Sequence, residues 1–128
     1  MDDLMDVSGA FAGLGIEEDD VDGGISLLAL TGELDFNSAP QLTRRFERSA
    51  LIDHTGFVLD LSRLGFLDSS GLGALLVSLR AAESSGGRMA IVSTSRCNNR
   101  VFDVTRLRDV LGVVATREQA YAAVGTAG

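Results

Sequence analysis

At 128 residues and 13.5 kDa, 45% apolar and 23% charged, the chain has the size and composition of one ordinary globular domain, which argues against a disordered chain. No apolar run is long enough for a membrane helix, and the acidic start Met1-Asp2-Asp3 lacks the basic region of a secretory signal, so a cytoplasmic protein is expected. The net charge of −7 is concentrated at one end: residues 1–22 hold eight acids and no base, the remainder holds ten acids and eleven arginines, and no basic stripe suited to nucleic acid is visible.

Residues 1–24 read as an acidic leader, with Phe11, Leu14 and Ile16 as a weak first edge strand and 19–24 as its turn. The run 25–31 is almost wholly apolar, as expected of a strand buried on both faces. Residues 32–37 form a loop and Ser38 caps a helix, with Pro40 tolerated in its first turn. Ala39, Leu42, Phe46 and Ala50 space out the apolar side of that helix, while Arg44, Arg45 and Arg48 make a solvated face, with a partner contact as the alternative. A turn at 53–56 carries the only histidine, His54, as a surface residue, and 57–61 (FVLDL) is the next strand.

Leu72, Leu75, Leu76 and Leu79 follow at i, i+3, i+4 and i+7, so a second helix begins near Ser69 and Ser70 and ends at 84–87. Residues 89–93 (MAIVS) make a third strand. Residues 98–107 make a third helix with Val101, Phe102 and 105–107 inward, and 110–115 a fourth strand. Thr116 caps a last helix in a capping box with Gln119, burying Ala120, Ala123 and Val124, and 125–128 form a frayed tail. Alternation of strand and helix from Ile25 onward predicts an α/β layer fold with a mostly parallel sheet.

In such sheets the informative loops follow the carboxyl ends of strands: 31–38, 64–71 and 93–96. They do not read as an enzyme. The segment 67–71 (LDSSG) lacks the leading glycine of a nucleophile elbow. His54 falls at the opposite end of the sheet, and no lysine exists to serve a phosphate-cradling loop. One cysteine and one histidine supply neither a disulfide framework nor a metal cluster, so no metal and no cofactor are expected. The stretch Asp68-Ser69-Ser70-Gly71 has two readings. It is a helix cap, or it presents a serine where amide groups and the helix dipole stabilise a phosphate.

The stretches 31–35 (TGELD), 58–61 (VLDL) and 66–73 (FLDSSGLG) together resemble the STAS domain of bacterial anti-sigma factor antagonists, over residues 25–124. The resemblance implies a STAS-like fold: a small mixed, mostly parallel sheet of four to five strands packed by about four helices. It implies a non-enzymatic partner switch. Such a protein binds an anti-sigma factor, a GHKL-type serine kinase, and so frees the sigma factor. The kinase then phosphorylates the residue matching Ser69, which ends binding, and a phosphatase restores it. Ser70 would be secondary, and the binding surface would comprise Asp35, Asn37, Asp68, Ser70, Gly71, Leu72 and Gly73. Other STAS-type roles stand beside this one: a scaffold, a transport-complex subunit or a nucleotide-binding module. Cys97, at the start of the third helix, is either a small buried or half-buried thiol or a redox control through an intermolecular disulfide.

Overall fold

In the computed structural model, which describes residues 13–21, 23–50 and 54–125, five strands lie side by side in sequence order. They are β1 (Leu14–Val21), β2 (Ile25–Leu34), β3 (Gly56–Leu67), β4 (Arg88–Val92) and β5 (Val113–Val114). Strand β1 runs antiparallel to β2, and every other pair is parallel. Four helices join them: α1 (Ala39–Ala50), α2 (Ser69–Ser84), α3 (Arg96–Thr105) and α4 (Arg117–Gly125). The mixed, mostly parallel sheet with four helices is the architecture expected from the alternation of elements.

The pleat divides the apolar side chains between two layers. Leu28, Leu30, Phe57, Leu59, Leu61 and Ile91 face α1, α2 and α3, where Leu42, Phe46, Leu72, Leu75 and Phe102 complete the larger core. Phe46 and Phe57 stack at a tilt with centroids 4.8 Å apart. Ile25, Leu27, Val58, Ala90 and Val92 face the other way and are covered by Ala120 and Val124 of α4. Thr116 and Gln119 do form the expected capping box: the Gln119 amide donates to Thr116 Oγ1 at 3.1 Å, and the Thr116 amide to Gln119 Oε1 at 3.2 Å.

Several boundaries differ from the sequence reading. Strand β1 is a full eight-residue edge strand that includes Asp19 and Asp20, because an edge leaves one face wet and tolerates acids there. Phe11 lies outside the described residues. Strand β2 continues through Leu34, where a loop was expected to begin at Gly32. Strand β3 runs to Leu67 rather than Leu61, because two register shifts each place one extra residue on β3 and re-phase its side chains. Only 113–114 of the expected fourth strand pairs; Val110 is exposed in the turn before it. Thr105 and Arg106 turn outward, with Arg106 left-handed at φ 59° as α3 ends, and Ala123 is exposed. The His54 imidazole is only 7% exposed, 2.8 Å from Asp20 Oδ1 and edge-on to Phe57. Arg45 leaves the solvated face to reach Glu18 across to β1 at 3.2 Å. Gly125 closes α4; the remaining tail positions 126–128, and the leader 1–12, lie outside the described residues.

Candidate functional site

Parallel pairing of β2 with β3 brings Leu34 opposite Leu67, so the two loops that follow emerge side by side. The first turns on Asp35. Its Oδ1 accepts the amides of Asn37 at 3.0 Å and Ser38 at 3.1 Å, an Asx turn that delivers the chain into α1. Ser38 does not cap α1 with its side chain, as the sequence had suggested. Its hydroxyl turns back into the loop, donating to the Glu33 carbonyl at 2.8 Å and accepting the Asp35 amide at 2.9 Å. The Ser38 carbonyl instead accepts the first helical amide, from Gln41 at 2.9 Å.

The second loop is shorter. Asp68 is the cap of α2, in extended backbone, and its Oδ1 accepts the Gly71 amide at 2.9 Å. The Asp68 amide donates to the Leu34 carbonyl at 3.3 Å, which ties the two loops together. Gly71 is buried against that same strand end. A Cβ there would collide with the Leu34 carbonyl oxygen and come within 2.8 Å of Leu67 Cδ1. The structure thus gives Asp68 and Gly71 structural work. Ser69 is exposed in the first turn, and its amide and that of Ser70 keep no acceptor among the described residues. A Cβ on Gly73 would meet nothing within 4 Å, and Leu72 is buried in the core. Asn37 is exposed beside the Asx turn.

Ser70 faces a groove that no periodicity announced. Phe36, Ala39, Pro40 and Thr43 line one wall and Ser70, Ala74 and Val77 the other, around an open volume of about 310 Å³. Phe36 is 76% exposed and Val77 49%, and Phe66, beside the same loops, is also exposed. Large apolar groups grouped at a surface mark interaction sites more than they mark noise. Sequence reasoning missed these residues because exposure has no spacing signature; the one cue was an aromatic set among the polar residues of loop 35–38.

The two loops beside the groove are acidic: they carry Glu33, Asp35 and Asp68, and no arginine lies in 31–38 or 64–77. Among the described residues no group of three or more His, Cys, Asp or Glu side chains could hold a metal, and no helix is long and apolar enough to cross a membrane. Cys97, in the first turn of α3, is exposed, where the simpler sequence reading expected a buried or half-buried thiol.

Comparison with known proteins agrees with the fold. The profile of the STAS domain matches residues 18–120. The anti-sigma F factor antagonist of Lysinibacillus sphaericus is 34% identical over 97 residues, covering 73% of this chain and 80% of its own. The crystal structure of an anti-sigma factor antagonist from Mycobacterium paratuberculosis superimposes with a TM-score of 0.78 at 26% identity, covering 87% of this chain and 93% of its own. The Bacillus cell fate determinant SpoIIAA in its phosphorylated form superimposes with a TM-score of 0.66 at 26% identity, covering 85% and 98%.

Proposed function

This chain belongs to the STAS-domain family of anti-sigma factor antagonists, and from that premise we propose that it binds an anti-sigma factor through the α1–α2 groove and is released by phosphorylation of Ser69. The observation that carries the reading is the division of labour in 68–71. Asp68 and Gly71 are accounted for by the cap and the close approach to Leu34, whereas Ser69 is exposed with no side-chain hydrogen bond among the described residues, next in sequence to Ser70, which lines the apolar groove. A relative of the same fold has been solved in a phosphorylated form, which supports control by phosphorylation.

The mechanism follows from local physics. An anti-sigma factor would fill the groove with apolar side chains and cover the acidic loops beside it, burying Phe36 and Val77. In that complex the sigma factor is free. The partner is itself a serine kinase of the GHKL type in this reading, and it places phosphate on Ser69 Oγ. The modification adds about −1.5 to −2 charges. The free amides of Ser69 and Ser70 and the positive end of α2 stabilise that charge in the unbound protein. Docking the partner would strip the phosphate of its water and force its bulk and charge into a surface packed against an unmodified serine, so the complex is lost and the folded protein is not. A phosphatase returns Ser69 to its starting state. The chain contributes no catalytic group of its own.

Calorimetric titration of the cognate anti-sigma factor with wild type, Ser69→Ala and Ser69→Glu tests this. Ser69→Ala should bind like wild type and resist phosphorylation by ATP and the kinase. Ser69→Glu should bind about 100-fold more weakly, in the range for an unpaired charge at a desolvated interface. Equal affinities of the two variants would sink the switch.

A further inference from the structure

A second cavity lies at the same carboxyl end of the sheet but beside another strand, where β4 ends and α3 begins. Thr94, Arg96, Asn99, Arg100, Asp103 and Arg108 line an open volume of about 460 Å³, and none of them lines the α1–α2 groove. Its position outside the carboxyl end of a parallel strand is the ordinary place for a ligand in an open α/β sheet.

Four features of this cavity are costs with no structural return. Arg96 is the first residue of α3, where a cation opposes the helix dipole. Arg100 stands one turn later, so two like charges face each other at i and i+4. Neither makes an ion pair among the described residues; Arg108 alone is partnered, with its Nε 2.8 Å from Asp103 Oδ1. Asn99 Oδ1 is buried with no hydrogen-bond partner. In a chain of net charge −7, three of eleven arginines converge here. Where a sequence breaks several local rules at one spot, function is the usual reason.

One class of occupant removes all four costs. A phosphate group takes the guanidinium forks of Arg96 and Arg100 and the spare nitrogens of Arg108, neutralises their repulsion, and suits the α3 N-terminus. A hydroxyl, on the phosphate or on the carbon skeleton beside it, donates to Asn99 Oδ1. The volume falls in the range of about 300–1,000 Å³ that holds small organic ligands, larger than a bare ion needs. We propose that this cavity binds a phosphorylated small molecule, its phosphate held by Arg96, Arg100 and Arg108 and a hydroxyl held by Asn99. The site is independent of partner binding and would stand if that reading failed.

The test is a titration of the full chain with inorganic pyrophosphate, followed by amide NMR at low ionic strength, with sodium chloride at matched ionic strength as the reference. Saturable shifts at 94–100 and at the Arg108 side chain are expected. Arg96→Gln with Arg100→Gln should weaken binding at least about tenfold, the loss of charge-assisted hydrogen bonds. Asn99→Asp, nearly isosteric, should abolish it by adding a negative charge; unchanged resonances elsewhere establish that each variant is folded. Identical shifts with chloride, shifts that never saturate, or shifts centred on 68–73 and indifferent to the arginine changes would each overturn the proposal.

Discussion

Phe36 leaves 76% of its surface in water while Phe46, ten residues on, leaves none, and the difference is one of role. Phe46 fills the core under α1; Phe36 stabilises nothing that the described structure shows. Phe36→Ala should therefore leave thermal stability within about 0.5 kcal/mol of wild type, the range for surface positions. It should weaken anti-sigma factor binding by about 2 kcal/mol if the aromatic is an anchor of the interface. Unfolding and binding measured on the same sample separate the two effects. The glycines of α2 make the complementary contrast. Gly71→Ala drives a methyl into the Leu34 carbonyl and should destabilise by about 2 kcal/mol, the scale for overpacking in a closed site. Gly73→Ala meets open space in a helix and should stabilise by about 0.5–1 kcal/mol, while reducing affinity if the partner covers that turn. The Asp68 cap was legible because cap residues carry local signatures, whereas Asp35 and Ser69 were singled out by the family resemblance. The groove was not legible, because nothing in a sequence distinguishes an apolar residue that packs from one that waits for a partner.

Among the described residues α4 is the one helix that covers the second face of the sheet, and its first turn is held by one polar cluster. Arg117 Nε lies 2.6 Å from Asp60 Oδ2, and the Ser62 amide donates to Asp60 Oδ1 at 2.9 Å. Burial by itself would raise the Asp60 carboxyl, but the Ser62 hydroxyl and amide and the Arg117 guanidinium together hold it below its ordinary value of 3.8. A carboxyl lowered in the folded state contributes stability that is complete above the unfolded value and is lost as pH falls through the folded one. Arg117→Leu should cost about 1 kcal/mol at pH 7, a charge-assisted hydrogen bond discounted for a guanidinium that is 44% exposed. That difference should shrink at pH 3. Urea unfolding of wild type and variant at both pH values measures it, and a cost equal at the two would exclude the charged pair as its source. Elements were legible where one period held: β2, α2 and the start of β3 announce themselves. The end of β3 did not, since two bulges convert alternation into buried positions at 61, 64 and 67, a spacing that strands do not show. Strand β5 shrank because Gly112, at φ 65°, and the turn before it spend most of the apolar run on turning the chain.

For the molecule as a whole, the order of strands in space is the order in sequence, so the fold follows from alternation once the register of each parallel pair is set. What alternation alone does not give is which loops meet, and the candidate site depends on that meeting. The Leu34 carbonyl receives the Asp68 amide and bars any side chain at position 71, which locks the Asx turn of one loop to the cap of the other. Because packed interfaces of this kind resist gradual deformation, the Ser69 phosphate should act as a charge placed on a rigid surface. The phosphorylated protein should therefore melt no lower than the unmodified one, since its phosphate sits at a helix N-terminus where it is stabilised. Amide shifts between the two forms should be confined to 33–38 and 68–77, with α3 and α4 unmoved. A drop of several degrees in melting temperature, or shifts spreading through the Phe46–Phe57 core, would mean that phosphorylation switches the protein by loosening the fold. The groove would then be a consequence of the switch rather than its target.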